Sequence, residues 1–220
     1  FFHANGVLSF EAPTAAAGSD QYTSDPAHPV PYRPRPVERT YSPTSRWRRW
    51  ETEDQRFVDG RPDVLTWQTP PLTADVTVAG DIVAHLYAAT TGSDADWVVK
   101  LIDVYPDTAP ERPTMGGYEL MVTGEIMRGR YRQSWEHPAA IAPNTVLPFT
   151  VDLHQQAYTF KRGHRIMVQV QSTWFPLYDR NPQTFVPNIF TAGAEAYRAR
   201  VHRVYRTARY PSNVEADVLP

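Results

Sequence analysis

Alternation of apolar and polar residues is the feature that most limits how this chain can fold. Residues 165 to 172 read RIMVQVQS. In an extended strand the side chains that share one side are Ile166, Val168 and Val170, and those that share the other are Arg165, Met167, Gln169 and Gln171. This pattern is typical of an antiparallel sheet with one face on the core and one face in water. We therefore predict that Val168 and Val170 are buried and that the second set is solvated.

Similar β-branched or aromatic runs recur along the chain, separated by clusters of Pro, Gly, Asp and Asn. The predicted strands are Gly6 to Glu11, Val64 to Thr69, Ile82 to Thr90, Trp97 to Tyr105, Tyr118 to Thr123, Glu125 to Arg132, Val146 to Leu153, Arg165 to Ser172 and Arg200 to Tyr205. The run from Trp97 is apolar on both faces, so its strand should be central. Helical spacing occurs only at residues 197 to 204, where β-branched residues leave helix and strand both open. Many short strands without a long helix predict an all-β fold, a β-sandwich or jelly roll.

Residues 25 to 61 form a different kind of segment, because six prolines between positions 26 and 43 prevent regular strand pairing over most of it. We predict an extended, irregular Pro-rich arm or connector. It contains the sequence RWRRW, in which Trp47 and Trp50 favour packing against a surface. The acidic residues that follow at once indicate a solvated face of mixed charge rather than a nucleic-acid site.

Composition describes an ordinary globular domain. A length of 220 residues fits one β-domain over residues 1 to 220. A net charge of −2 gives no pull towards nucleic acid, and no apolar run approaches the length of a membrane span, so we predict neither partner. The lack of cysteine excludes disulfides and thiol nucleophiles. Because the chain opens on Phe1, we expect it to be a piece of a longer protein.

The sequence lacks the motifs of common hydrolytic and nucleotide chemistry. No serine has a glycine two residues before it, as the G-x-S-x-G turn of the α/β-hydrolases requires. No two histidines stand at the H-x-x-x-H spacing of zinc hydrolases, and neither lysine follows a glycine-rich phosphate loop. We therefore predict no catalytic residue, no metal and no cofactor in this chain.

Acidic residues are the remaining candidates for a site. Asp94 and Asp96 in GSDADW stand two apart before the predicted central strand. They could bind a cation through oxygen, or they could form a polar turn in which they accept backbone donors, and the residues leave both open. Asp103 lies among apolar neighbours, so it needs a partner if it is buried. We predict an ion pair with an arginine of RGRYR, residues 128 to 132.

Four segments together carry a resemblance to a known family. They are FVDGRPDVLTWQTPPL (57 to 72), TGSDADWVVKLIDVYPD (91 to 107), GGYELMVTGEIMRGRYR (116 to 132) and GHRIMVQVQSTWFPLYDRNPQTFVPNIF (163 to 190). In this order they resemble the C-terminal jelly-roll domain of the α-amino acid ester hydrolases, which belong to a wider group with cocaine esterase and X-Pro dipeptidyl-peptidase. The resemblance covers nearly the whole chain.

The resemblance implies a jelly-roll β-sandwich of the galactose-binding-like type that belongs to a larger serine hydrolase. Full-length members carry their catalytic triad in an α/β-hydrolase domain and a helical cap, and both domains are absent from this chain. They cleave or transfer acyl groups of α-amino acid esters and amides, including β-lactam side chains. The implied partner is the catalytic domain, the implied assembly is a homo-oligomer, and the implied location is periplasmic or secreted.

Residues 171 to 190 form an aromatic, Pro-broken loop after a buried strand, which suggests a surface that covers another domain. We predict that Trp174, Phe175 and Tyr178 dock on the catalytic domain, at least two of them largely exposed in the isolated chain. Arg180 should fix the loop through a carboxylate or backbone carbonyls. The alternative is that the rings cap this domain's own core. Two other functions stay open, a stand-alone carbohydrate-binding jelly roll and an assembly module that embraces a neighbour with the Pro-rich arm.

Overall fold

The computed structural model describes residues 1 to 219, and its regular structure there consists of strands and short 3₁₀ turns. The strands are β1 (Ser19–Ser24), β2 (Leu65–Gln68), β3 (Val76–Thr90), β4 (Asp96–Val104), β5 (Glu119–Arg128), β6 (Leu147–Phe160), β7 (Arg165–Gln171), β8 (Arg200–Tyr205) and β9 (Asn213–Val218). The 3₁₀ turns are Ala4–Gly6, Trp47–Thr52, Gln55–Val58, Pro113–Met115, Gly129–Tyr131, Ile189–Thr191 and Ala194–Ala196.

The strands form two antiparallel sheets. One sheet has the order β1-β8-β3-β6, with β9 also paired to β3, and the other has the order β2-β7-β4-β5. A bulge between Asp81 and Val83 bends the long strand β3. On one edge β3 pairs with β8 at residues 88 to 90 and with β9 at residues 78 to 85. The predicted all-β sandwich is confirmed, and the jelly-roll order of its connections stays a prediction.

The core lies between the two sheets. Trp97 of β4 packs against Phe149 of β6 with ring centroids 5.3 Å apart. Val168 and Val170 of β7 face the same cluster and are fully buried, as the alternation predicts. Strand β4 lies between β7 and β5, which confirms its predicted central position. Burial of these branched and aromatic side chains is the main favourable contribution to folding.

Several predicted strand bounds are wrong. The proposed strand from Gly6 to Glu11 is a 3₁₀ turn followed by single bridges, at Val7 to Gln68 and at Leu8 to Phe2. By contrast, the predicted strand from Arg200 to Tyr205 is confirmed as β8, and residues 197 to 204 form no helix. Strands β1 and β9 are absent from the prediction. Strand β1 reads SDQYTS, and its polar residues give no hydrophobic pattern, so backbone pairing with β8 determines it.

Gly124 explains why one strand was predicted as two. A glycine between Thr123 and Glu125 suggested a turn, yet β5 continues through it. A Cβ built at Gly124 would lie 3.2 Å from the Trp174 ring and 3.3 Å from the stem of Lys100. The glycine therefore permits a close approach of a ring to the sheet rather than a reversal of the chain.

The predicted solvated face of β7 is wrong. Met167, Gln169 and Gln171 are all buried, because residues 25 to 61 lie over this face of the second sheet. The Pro-rich segment contains no strand of its own. It is attached by a bridge between Asp54 and Leu120 and by two backbone hydrogen bonds to Phe175. A polar strand face thus packs against a covering segment instead of water.

The Pro-rich arm, residues 25 to 61, carries Trp47 and Trp50, and both are half-buried, as predicted. The Trp50 ring meets the Trp174 ring edge-on at 6.2 Å and lies 5.9 Å from the ring of Tyr32. These contacts form a second, smaller apolar cluster outside the main core. The arm is held by aromatic contacts as well as by backbone pairing.

Candidate docking site

Trp174 lies in the loop after β7 and is only 3% exposed. Its ring stacks on Tyr178 at 6.1 Å with an interplanar angle of 17°. The expectation that at least two of Trp174, Phe175 and Tyr178 are largely exposed is wrong, because Trp174 is buried and the other two are half-buried. Trp174 therefore supports the loop from below, since the arm and β5 already cover it.

Phe175 and Arg180 tie this loop to the arm. The backbone N–H of Phe175 donates to the Val30 carbonyl at 3.0 Å, and its carbonyl accepts from Tyr32 at 3.0 Å. Arg180 Nη1 donates to the Pro26 carbonyl at 2.7 Å. Its guanidinium lies 5.4 Å from the ring of Phe175, which favours cation–π attraction. The predicted role of Arg180 in fixing the loop through a backbone carbonyl is confirmed.

Tyr178 is fixed by a carboxylate on β5. Its hydroxyl donates to Glu125 Oε1 at 2.8 Å, and His154 Nε2 lies 2.9 Å from Glu125 Oε2. Burial, followed by the Glu125 hydrogen bond, raises the pKa of Tyr178 to about 12. The same carboxylate raises the pKa of His154 above its usual value. The ring of Tyr178 is therefore held in one position while one face borders solvent.

Two grooves meet at Arg128 and Tyr131, and Tyr178 lines one of them. One is lined by Tyr131, Trp135 and Tyr178, and the second by Tyr131 and Phe190, with Arg128 common to both. Trp135 is 72% exposed and Phe190 is 76% exposed. We call Tyr131, Trp135, Tyr178 and Phe190 the aromatic rim. These four rings line the two grooves together with charged side chains, among them Arg128, Glu125 and Asp152.

Sequence reasoning missed Trp135 and Tyr131. The only available signal was a single tryptophan in the polar stretch QSWEHP, which follows the arginines of residues 128 to 132. The Tyr131 and Trp135 rings stack at 6.2 Å with an interplanar angle of 26°. Stacking of two loop aromatics lowers the entropy that a partner would have to remove on binding.

Asp94 and Asp96 are buried and bonded to arginine and asparagine side chains. Asp94 Oδ2 accepts from Arg130 Nε at 2.8 Å and lies 2.6 Å from Nη2 of the same guanidinium, and its Oδ1 accepts the backbone N–H of Ala95. Asp96 Oδ1 accepts from Asn181 at 2.8 Å. Burial raises the pKa of Asp96 to about 7. The backbone acceptor role predicted for a polar turn holds for Asp94, and these contacts join the turn before β4 to the aromatic loop.

The predicted partner of Asp103 is wrong. Asp103 accepts from Tyr158 at 2.7 Å and from His164 Nδ1 at 2.8 Å. The antiparallel pairing of β4 with β5 places Arg128 opposite Asp96, at the far end of β4 from Asp103. Arg130 bonds to Asp94, and Arg132 donates to the carbonyls of Gly129, Ala139 and Ala140.

A buried lysine lies beneath the arm. Lys100 is fully buried in β4 and donates from Nζ to Gln55 Oε1 at 2.9 Å. The ammonium lies 5.8 Å from the Phe57 ring and 5.5 Å from the Trp174 ring. Burial lowers the pKa of Lys100 to about 7, with the charge of Glu119 acting in the opposite direction. The arm thus closes over a polar layer whose charge changes near neutral pH.

Over residues 1 to 219, no three His, Cys, Asp or Glu side chains group in a way that could hold a metal ion. In the same residues no helix has the length and apolarity to cross a membrane. The features described are structural pairs and an exposed aromatic surface.

Comparison with known proteins agrees with this picture. Residues 9 to 215 match the family model of the X-Pro dipeptidyl-peptidase C-terminal non-catalytic domain. The chain is 33% identical to a cocaine esterase of Rhodococcus sp. (strain MB1 Bresler) over 216 residues, 97% of this chain and 34% of that protein. An aminopeptidase from a marine sediment Thaumarchaeota archaeon superposes with a TM-score of 0.97 at 52% identity, over 99% of this chain and 36% of that one. An α-amino acid ester hydrolase superposes with a TM-score of 0.94 at 52% identity, over 98% of this chain and 35% of that one.

The sandwich and its loops define a non-catalytic accessory domain of hydrolytic enzymes. The chain belongs to the family of X-Pro dipeptidyl-peptidase C-terminal non-catalytic domains. Relatives include the cocaine esterase and the α-amino acid ester hydrolase, so the predicted resemblance is confirmed. The chain spans about a third of the length of these relatives.

Proposed function

We propose that this chain is the C-terminal accessory domain of a serine ester hydrolase that cleaves or transfers acyl groups of α-amino acid esters and β-lactam side chains. The observation that carries this proposal is 52% identity over 98% of the chain to an α-amino acid ester hydrolase. The chain acts as one domain, residues 1 to 220, with residues 25 to 61 as its arm. The nucleophile belongs to the catalytic domain of the parent.

The catalytic domain is the partner that we propose for the aromatic rim. About two thirds of each relative's length lies outside the matched region, so a larger body is available to cover an exposed face. The rim offers two large rings, Trp135 and Phe190, at small entropic cost. Arg128, which donates to the Asp179 carbonyl at 2.7 Å, is fixed between its two grooves. Of the residues predicted to dock, Phe175 and Tyr178 border the contact, and Trp174 and Arg180 hold the loop in place.

Packing of this kind lets the domain help to wall the active site without supplying a reacting group. A wall that excludes water strengthens the electrostatic stabilisation of an acyl-transfer transition state. The parent, on this view, is also a homo-oligomer, which a mass measurement of the complete enzyme would test.

A chimeric enzyme tests the function. In an α-amino acid ester hydrolase, the matched C-terminal third is replaced by this chain, and hydrolysis of an amino acid ester is measured. We expect the chimera to retain turnover and the isolated chain to show none, because the chain lacks a nucleophile elbow. Turnover by the isolated chain that a serine-directed inhibitor abolishes would contradict the proposal.

Variants of the chimera test the docking face. Trp135→Ala and Phe190→Ala should each lower turnover or the stability of the complete enzyme, because both rings are exposed only in the isolated domain. Phe10→Ala is the matched control, since Phe10 is 68% exposed but lies outside the aromatic rim. Equal effects of Phe10→Ala and the rim variants would place the contact elsewhere.

A further inference from the structure

A cavity of about 150 Å³ lies between the two sheets, at the end of the sandwich that the N-terminal segment covers. Strands β3, β6 and β9 line it from one sheet, and β4 and β7 line it from the other. All the lining side chains are hydrocarbon or aromatic except those of Ser9 and Thr69. The cavity is separate from the aromatic rim, and it does not depend on the function proposed above.

Both polar lining residues already have partners. Thr69 Oγ1 accepts the backbone N–H of Ile166 at 3.1 Å, and Ser9 Oγ accepts that of Glu11 at 3.1 Å. Over residues 1 to 219, no buried side-chain nitrogen or oxygen without a partner belongs to a lining residue. A water molecule in a protein interior needs two to four polar partners, and this cavity offers few. Its chemistry therefore favours an apolar occupant over water.

Size limits the occupant further. Apolar cavities of roughly this volume, lined by similar side chains, bind benzene or xenon. The lining groups that face the space include Val78 and Leu101 from opposite sheets, with Phe160 beside them. No carboxylate or basic side chain is among the lining residues, and the α-ammonium of Phe1 already donates to the Ser9 carbonyl at 2.6 Å, so a cationic ligand would lose its hydration without compensation.

An entrance exists at the rim of the cavity. Phe10 is 68% exposed and Val218 is 54% exposed, and both line the cavity. The N-terminal segment is attached there by single bridges, including that of Val7 to Gln68, rather than by a regular strand. The segment is nonetheless anchored, since Phe2 is fully buried and stacks on Trp67 at 4.3 Å, so the exposed edge at Phe10 and Val218 is the path for a small ligand.

We infer that this cavity is a binding site for a small uncharged apolar ligand, no larger than one substituted aromatic ring or a short branched alkyl group. The inference rests on the volume, the hydrocarbon lining, the satisfied polar groups and the exposed rim.

Toluene is a suitable probe, with benzylammonium as its charged counterpart. Titration of the ¹³C-methyl-labelled chain with toluene should give saturable shifts in the methyl signals of Val78, Val168, Val214 and Val218, with nuclear Overhauser contacts to the ligand. At about ten times the dissociation constant, mass action should raise Tm by about 3 to 6 °C for a domain of this size. Benzylammonium at the same concentration should produce neither effect.

Leucine substitutions at two alanines distinguish binding in this cavity from general binding at the surface. Ala216→Leu adds bulk inside the cavity and should abolish the toluene response. Ala79→Leu makes the same change on β3 without touching the cavity lining, and it should leave the response unchanged. If Ala216→Leu does not fold, the Overhauser contacts in the unmodified chain still decide the question. Absence of saturation, contacts outside the lining, an equal response to benzylammonium, or an unchanged response in Ala216→Leu would each overturn the inference.

Discussion

Replacing Trp174 by alanine removes a large ring from the junction of the arm, the loop and β5. The ring is 3% exposed, stacks on Tyr178 and meets Trp50 edge-on. Truncation of a buried tryptophan costs about 3 to 5 kcal/mol, from lost transfer free energy and from the cavity left behind. The indole Nε1 has no hydrogen-bond partner in the structure, so no hydrogen bond adds to the loss. Attraction between the ring and the ammonium of Lys100, 5.5 Å away, adds to it.

Urea denaturation measures this loss of stability, with unfolding monitored by far-UV circular dichroism because that signal reports the backbone rather than the tryptophans. The urea concentration at the midpoint of unfolding should fall, while the slope of the free energy of unfolding against urea concentration stays the same, because the surface exposed on unfolding hardly changes. For a chain of this size, Tm should fall by roughly 6 to 20 °C. Trp135→Ala is the matched control, and since Trp135 is 72% exposed its effect should stay within about 0.5 kcal/mol.

A loss below about 1 kcal/mol for Trp174→Ala would refute the reasoning. It would mean that the arm does not enclose the ring in solution and that Trp174 is free to contact a partner. Equal losses for Trp174→Ala and Trp135→Ala would refute it as well, because burial alone separates the two sites.

Two further predictions concern the sheet beneath the arm. Val168→Ala should lower the free energy of unfolding by about 1 to 3 kcal/mol, since Val168 is fully buried between the sheets, and a loss under about 0.5 kcal/mol in chemical denaturation would contradict the packing. Burial lowers the pKa of Lys100 from 10.5 to about 7. Between these two pH values the unfolded chain therefore binds one more proton than the folded chain. The contribution of Lys100 to the free energy of unfolding thus rises with pH and is lost as pH falls towards 7. The difference in free energy of unfolding between the wild type and Lys100→Met should therefore shift in favour of the wild type from pH 7 to pH 9, and a pH-independent difference would contradict a buried, deprotonated lysine.

Sequence periodicity located the strands whose burial alternates most cleanly. Val168 and Val170 were assigned correctly because a period of two depends on the strand alone and not on its neighbours. Strand β1 could not be found in this way, since only Tyr22 and Ser24 of its six residues are buried. Its position follows from pairing with β8, which lies far along the chain. Pairing between distant segments leaves little trace in local composition.

The buried polar face of β7 could not be predicted because alternation reports only that two faces differ. Gln169 and Gln171 face the arm instead of solvent. A covering segment without secondary structure has no sequence periodicity, so its position over the sheet cannot be predicted from its pattern of residues. The arm was recognised by its prolines and tryptophans, but those residues do not specify which face it covers.

The docking loop was predicted in part. Arg180 was correctly assigned to fix the loop, because a guanidinium beside carbonyls is a strong local constraint. The prediction that at least two of the rings of Trp174, Phe175 and Tyr178 are largely exposed was wrong, since aromatic content alone does not distinguish a ring that packs against the arm from a ring in solvent. Trp135 and Tyr131, which complete the aromatic rim, come from a different loop, and the antiparallel pairing of β4 with both β5 and β7 brings the two loops to the same end of the sheet.

The pairing of β1 with β8 has a consequence for synthesis of the domain. Ser19 pairs with Tyr205, so β1 gains a neighbouring strand in its sheet only after β8, far along the domain, has been synthesised. Contacts between such distant residues slow folding, because the intervening chain must be ordered before they form. During translation β1 has no partner strand in its own sheet, and its polar sequence makes that interval safe from aggregation. The lack of hydrophobic pattern that hides β1 from sequence reasoning thus protects the nascent chain.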